Sequence, residues 1–234
     1  MLNSTLRLKI QQRLNKLASQ DYDNIECWQI VEAFNKAQIE WCRRQIMGRN
    51  SAQAGAEQTV RKIDDLQNLL TPIPLTSLSS GDYYLTEPLP DNYLEYHKID
   101  ITATKDCCTD PKKLIVYLVE EVNSSVLLRD ELRKPNFEWA ETFCTVINNA
   151  IRVYTNREFE IRDITLLYYR QPRRIAITGC GDPYTGTITT TDVECEFRDD
   201  IAEVLVDAAA SILAADIESF SQFTRTSQQS ETNT

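Results

Sequence analysis

Glycine is scarce. Six occur in 234 residues, about a third of the usual ~7%. Gly-rich phosphate-cradling loops need more than that, and neither G-x-G-x-x-G nor G-x-x-x-x-G-K-[ST] appears. Histidine is scarcer still, with His97 alone. This excludes a histidine-cluster metal site and leaves His97 as the one histidine available to catalysis. The seven cysteines, at 27, 42, 107, 108, 144, 180 and 195, include no C-x-x-C pair. No apolar run approaches the ~18 residues of a membrane span. Met1–Ser4 does not open a charged-then-apolar leader. Together these absences describe a soluble protein of a reducing compartment, with free thiols that are mostly small buried apolar groups.

A basic block is also lacking. The net charge is −10. The first 70 residues carry ten basic and eight acidic side chains, residues 71–198 fourteen and twenty, and residues 199–234 one and seven. No segment is basic enough to grip nucleic acid by counterion release. What is present is an ordinary globular composition, 42% hydrophobic and 26% charged.

Residues 1–70 read as a helical arm. Leu6, Ile10, Leu14 and Leu17 recur at helical spacing. Asp23 and Glu26 have capping-box spacing ahead of a long run holding Trp28, Val31, Phe34, Ile39 and Trp41, which ends near Gly48. A third helix is predicted from Ser51 to Leu70. Residues 71–92 hold Pro72, Pro74, Pro88 and Pro90 among serines and read as a linker, with Tyr83–Thr86 a short edge strand. Residues 93–198 read as a β domain, an antiparallel sandwich or small barrel. Its clearest strand alternates over Tyr96–Thr104, and a short helix is expected around Val126–Arg133. Residues 199–220 form an amphipathic helix opened by Asp199 and Asp200, with Ile201, Val204, Leu205, Ala208, Ile212, Leu213, Ile217 and Phe220 on one stripe. Residues 221–234 are a polar tail with Phe223 as its one large apolar side chain, disordered or ordered by a partner. The fold class is therefore α+β: helical arm, β domain, terminal helix.

Candidate chemistry is thin. His97 lies in an alternating strand, as a structural histidine does. Cys107 and Cys108 are neighbours in a polar turn, poorly placed to chelate one metal. Asp64-Asp65, Glu120-Glu121 and Asp199-Asp200 are adjacent, so their side chains diverge and do not face each other across a cleft. No catalytic, cofactor-binding or metal-binding residue is assigned. Interface candidates remain. Trp28 and Trp41 lie six and seven residues from Phe34, off one narrow stripe, so either the helix is buried on a wide arc or one aromatic faces a neighbouring subunit. Arg173 and Arg174 form a basic cluster suited to an acidic surface on another subunit, such as 199–207, or to an exposed strand end. Phe220 and Phe223 complete the set.

Three stretches resemble the neck, or ring, proteins of tailed bacteriophages, particularly those of crAss-like phages: Trp28–Trp41 followed by Arg43-Arg44-Gln45, Pro135–Phe143, and Leu166–Pro172 ahead of the acidic-started terminal helix. The general plan is similar to the gatekeeper adaptors of short-tailed phages. The resemblance implies a non-enzymatic virion protein made in the host cytoplasm. It implies identical subunits closed into a ring, a dodecamer matching the portal, that joins portal to tail beside other ring proteins and tail hub proteins. DNA would pass through the channel without specific binding, and no cofactor or membrane is involved. The alternatives are an intracellular hydrolase using His97 or a cysteine, and another virion protein, either cargo or fibre attachment.

Overall fold

The computed structural model describes residues 1–15, 25–47, 49–50, 53–54, 65–105, 108–181, 186–216 and 228. The chain divides into a helical unit, Met1–Asn68 with Pro172–Thr234, and a β unit, Leu69–Gln171. The helical unit holds α1 (Asn3–Asn15), α2 (Cys27–Met47) and a terminal helix, α4 (Asp199–Asp216); the β unit holds α3 (Glu121–Leu127). None of these helices is long and apolar enough to cross a membrane.

In the helical unit, Leu6, Ile10 and Leu14 recur every four residues and are fully buried. Both α1 and α2 pack on α4. Four of the six alanines of α4 (Ala202, Ala209, Ala210 and Ala214) are buried, and side chains this small let neighbouring helices approach closely. Two ion pairs step along α1 and α4 together: Lys9 with Glu203, and Arg13 Nε with Asp207 Oδ1 at 2.6 Å. Asp199 and Asp200 occupy the first turn of α4, as expected from the helix dipole. The predicted third helix lies largely outside the described residues. Arg49–Asn50 and Gln53–Ala54 pair as two short strands, β1 and β2, and Gln67–Leu69 is a 3-10 turn. Leu17, Asp23, Gly48, Ile217, Phe220 and Phe223 also lie outside the described residues, as does the tail apart from residue 228.

The β unit is built on β3 (Leu70–Leu75), β4 (Ser77–Ser79), β5 (Tyr83–Thr86), β6 (Tyr93–Lys105), β7 (Cys108–Leu118), β8 (Glu141–Ile147), β9 (Ala150–Tyr154) and β10 (Glu160–Arg170). These form one eight-stranded sheet in the order β3-β10-β6-β7-β8-β9-β5-β4, nearly closed into a barrel. The stretch read as a linker therefore supplies three strands. Pro72 and Pro74 share parity, so both missing donors fall on one edge, and β3 is the outermost strand. The sheet is mixed, and the expected purely antiparallel pairing is corrected by β7 and β8, which run parallel. The chain between them is long enough for a crossover and includes α3, as parallel pairing requires. Within Phe143–Tyr154 the chain turns back on itself at Asn148 and Asn149, whose φ of 46° and 58° suit a type I′ hairpin. The core gathers Ile99, Ile101, Cys144, Ile151, Val153, Ile164 and Leu166. A bulge opposite Leu167–Tyr168 turns Tyr96 toward that core and leaves His97 exposed, edge-on to Tyr169 at 5.4 Å.

The expected β domain ends at Arg170, not 198. Residues 172–198 belong to the helical unit as an irregular arm. Its root is fixed by side chains. Ile175 N donates to Asn35 Oδ1 at 2.8 Å, and Asn35 Nδ2 donates to Ile175 O at 3.3 Å. Asn3 Nδ2 donates to Ala176 O and Val193 O at 2.8 and 3.2 Å. Further out, Cys180 forms a disulfide with Cys27, the first residue of α2, with Cα atoms 5.5 Å apart. Two of the thiols expected to be free are thus paired across 153 residues. Cys42, Cys144 and Cys195 are free and buried as expected.

Candidate interaction surfaces

Each unit carries one surface of note. In the β unit, the segment from β7 to the start of β8 leaves seven large apolar side chains in solvent. Ile115, Tyr117, Leu118, Val122, Val126, Leu132 and Trp139 are each between 48% and 83% exposed. Beside them lies an open groove of about 580 Å³, walled by Tyr117, Val126, Leu127, Leu132 and Phe143, with Arg133 and Glu141 at its polar positions. Large aromatic side chains bury about 150–250 Å² each. Seven large apolar side chains, each roughly half exposed, together present several hundred Å², comparable to the largest apolar patch of a typical monomer, about 300–600 Å², which is often functional.

The patch is held in shape from beneath. A seven-residue helix such as α3 is too short to persist alone. Its first residue, Glu121, ties it to the sheet. Glu121 accepts hydrogen bonds from Thr145 Oγ1 at 2.6 Å, Arg152 Nη1 at 3.0 Å and Tyr154 OH at 3.2 Å. Arg152 in turn lies over the Tyr83 ring, 5.0 Å from its centre. Trp139 is turned outward by a local turn: Asn136 Oδ1 accepts from the backbone of Glu138 and Trp139 at 2.8 and 3.0 Å. The same turn sends Phe137 inward against Phe159.

In the helical unit, a groove of about 310 Å³ runs between the first turns of α2 and the arm, and Trp28, Glu32, Arg174 and Cys180 are on its walls. It brings together two of the expected interface residues, Trp28 and Arg174. Trp41 sits elsewhere, buried edge-on to Phe197 at 5.2 Å. Arg173 pairs within the chain, its Nε 3.3 Å from Glu196 Oε2. The apolar face of the β unit was not singled out from sequence. Its residues are of types that normally pack inside, and their exposure follows from the register of β7, in which Leu114 is the one buried residue among those described.

Burial sets the chemistry of the free thiols. Desolvation pushes Cys42 up to about 12 and Cys144 to about 11, and raises Cys195 as well. None of these is a ready nucleophile. No protein-family model and no curated protein matches the chain.

Proposed function

We propose that this chain is a structural component of the neck of a tailed-phage virion, a subunit of a closed ring that connects portal to tail around the DNA channel. The observation that carries the reading is the apolar face of the β unit. It matches in size the largest apolar patches of monomers, about 300–600 Å², which are often interaction sites. The three segments that resemble neck proteins fold into parts with clear local roles. Trp28–Trp41 lies within α2, Pro135–Phe143 makes the turn that exposes Trp139, and Leu166–Pro172 ends β10. Closed rings need two unlike complementary surfaces on every subunit. The apolar face and the Trp28–Arg174 groove are two unlike surfaces that could serve such a role. The net charge of −10 suits a channel component past which DNA slides without adhering.

The test is stoichiometric. Purified, DNA-filled virions are analysed by quantitative mass spectrometry against the portal protein. The expected result is this chain at a copy number equal to the portal's. Its absence from the particle contradicts the proposal.

A further inference from the structure

We propose that Cys27 and Cys180 form a reversible redox clasp that fixes the distal arm to the start of α2, operated by exchange with low-molecular-weight thiols and disulfides.

The arm is irregular and is cross-linked by two isolated bridges. Ala176 bridges Val193 and Gly181 bridges Ile188. Gly179 N donates to Thr189 O, and Thr189 N to Cys180 O, both at 3.0 Å. Gly179 takes φ +82°, and a Cβ built there meets nothing within 4 Å, so this glycine answers a backbone need in open surroundings. The root of the arm is anchored without sulfur, by Asn35 on Ile175 and by Asn3 on Ala176 and Val193. Beyond that root the anchoring changes character. Between Ala176 and Val193, Cys180 is the one buried side chain among the described residues. Ile188 is 68% exposed. Among the described residues the distal arm thus buries little apolar surface, so the sulfur link is a large part of what holds it.

The position of the pair makes it a clasp of limited reach. Cys27 precedes Asn35 by eight residues, about 12 Å along a helix. The root therefore stays seated when the tip is released. Cys27 is half-buried, within reach of a small reagent, whereas Cys180 is buried. The distance between their Cα atoms lies in the ordinary disulfide range. Exchange at the other described free thiols is disfavoured by their burial and raised titration.

The chemistry balances without further reagents. In closing, the Cys27 thiolate attacks one sulfur of a low-molecular-weight disulfide and expels one thiolate. Cys180, after losing its proton to solvent, attacks Cys27 Sγ and expels the second. Two protein thiols are oxidised and one small disulfide is reduced to two thiols, which take up the protons released. Opening is the reverse, with a small thiolate attacking Cys27 Sγ. Because Cys180 walls the Trp28–Arg174 groove, the clasp also sets whether that groove has its outer wall. The proposal stands apart from the neck-protein reading and does not depend on it.

The experiment uses the full chain equilibrated in glutathione buffers from fully reduced to fully oxidised. Free thiols are trapped by alkylation, peptides are mapped by mass spectrometry, and amide hydrogen exchange is followed in parallel. The expected result is a Cys27–Cys180 cross-linked peptide that appears and disappears with the buffer, while Cys42, Cys144 and Cys195 stay alkylated only after denaturation. On reduction, amides of 178–181 and 186–191 exchange about tenfold faster or more, and those of Ile175 and Ala176 are unchanged. Cys180→Ser reproduces the reduced pattern in oxidising buffer. Where that variant does not fold, reduction of the wild-type chain gives the same comparison. The proposal is overturned if the cross-linked peptide forms in no buffer, if reduction leaves exchange in the arm unchanged, or if it loosens the whole helical unit equally.

Discussion

Asn35 and Ile175 meet as a strand pair would, through one side-chain amide. Asn35 Oδ1 accepts from Ile175 N at 2.8 Å while its Nδ2 donates to Ile175 O at 3.3 Å, and both residues are buried. Gln38 Nε2 donates to the same Oδ1 at 3.0 Å and so fixes the amide's orientation. Replacing Asn35 with Ala leaves a buried N–H and a buried C=O without their partner. The expected loss is about 2–4 kcal/mol in urea unfolding. A loss under about 0.5 kcal/mol would show that the arm root is held by other means.

Glu121 plays the corresponding part in the β unit, gathering Thr145, Arg152 and Tyr154 beneath α3. Glu121→Ala is expected to cost about 1–3 kcal/mol, scaled down from a fully buried site because Arg152 and Glu121 are both partly exposed. It also unties α3, so trypsin should cut faster at Arg129 and Arg133. Tyr154→Phe keeps the carboxylate and its arginine and should cost about 1 kcal/mol. Equal tryptic rates in Glu121→Ala and wild type would contradict the tether.

Alkaline pH probes the helical interior. Cys42 titrates near 9 when free of the fold and is pushed up to about 12 by burial. Below pH 9 both forms hold the proton and stability is unaffected. Between pH 9 and 12 the unfolded chain ionises first, so this group removes about 1.4 kcal/mol per pH unit. Urea unfolding followed by tryptophan fluorescence at pH 8, 9.5 and 10.5 should show stability falling. Cys42→Ala should give a shallower fall. Parallel pH profiles for the two proteins would contradict the assignment.

Leu132 and Val126 carry the apolar face. Leu132→Glu and Val126→Glu place charge on exposed positions, so each monomer should keep its stability within about 0.5 kcal/mol. Incorporation into particles should drop at least tenfold in complementation, as expected when charge enters the apolar centre of an interface. Normal incorporation of both variants would show that this face is not an interface.

Much of the fold is legible in the sequence where periodicity is strong. The spacing of Leu6, Ile10 and Leu14 and the alternation over Lys98–Thr104 sit where the pattern puts them, and α4 forms where expected, although its buried face takes in Ala202, Val206, Ala209 and Ala210 beside Ile201, Leu205 and Leu213 and leaves Val204, Ala208 and Ile212 half-buried. The failures share a cause: a local rule was settled by position in the whole. Pro72 and Pro74 argue against a strand, yet an outermost strand has an edge that needs no donors. Period-2 signals alone do not say whether strands run parallel, and β7 and β8 are parallel because the chain between them makes a crossover. Ile115, Tyr117, Leu118 and Trp139 look like core residues by type, and only the three-dimensional register exposes them. The Cys27–Cys180 pairing spans 153 residues and carries no spacing motif. Of the interface residues read from sequence, Trp28 and Arg174 meet in one groove, and Trp41 turns into the core as a wide buried arc on α2 would have it.

The central claim is tested most directly by cryo-electron microscopy of the portal vertex in virions that encode this chain. The account predicts a closed ring of this chain around the DNA channel, with Ile115, Tyr117, Val126, Leu132 and Trp139 buried against a neighbouring chain. A complete vertex reconstruction in which every ring is built from other proteins contradicts it.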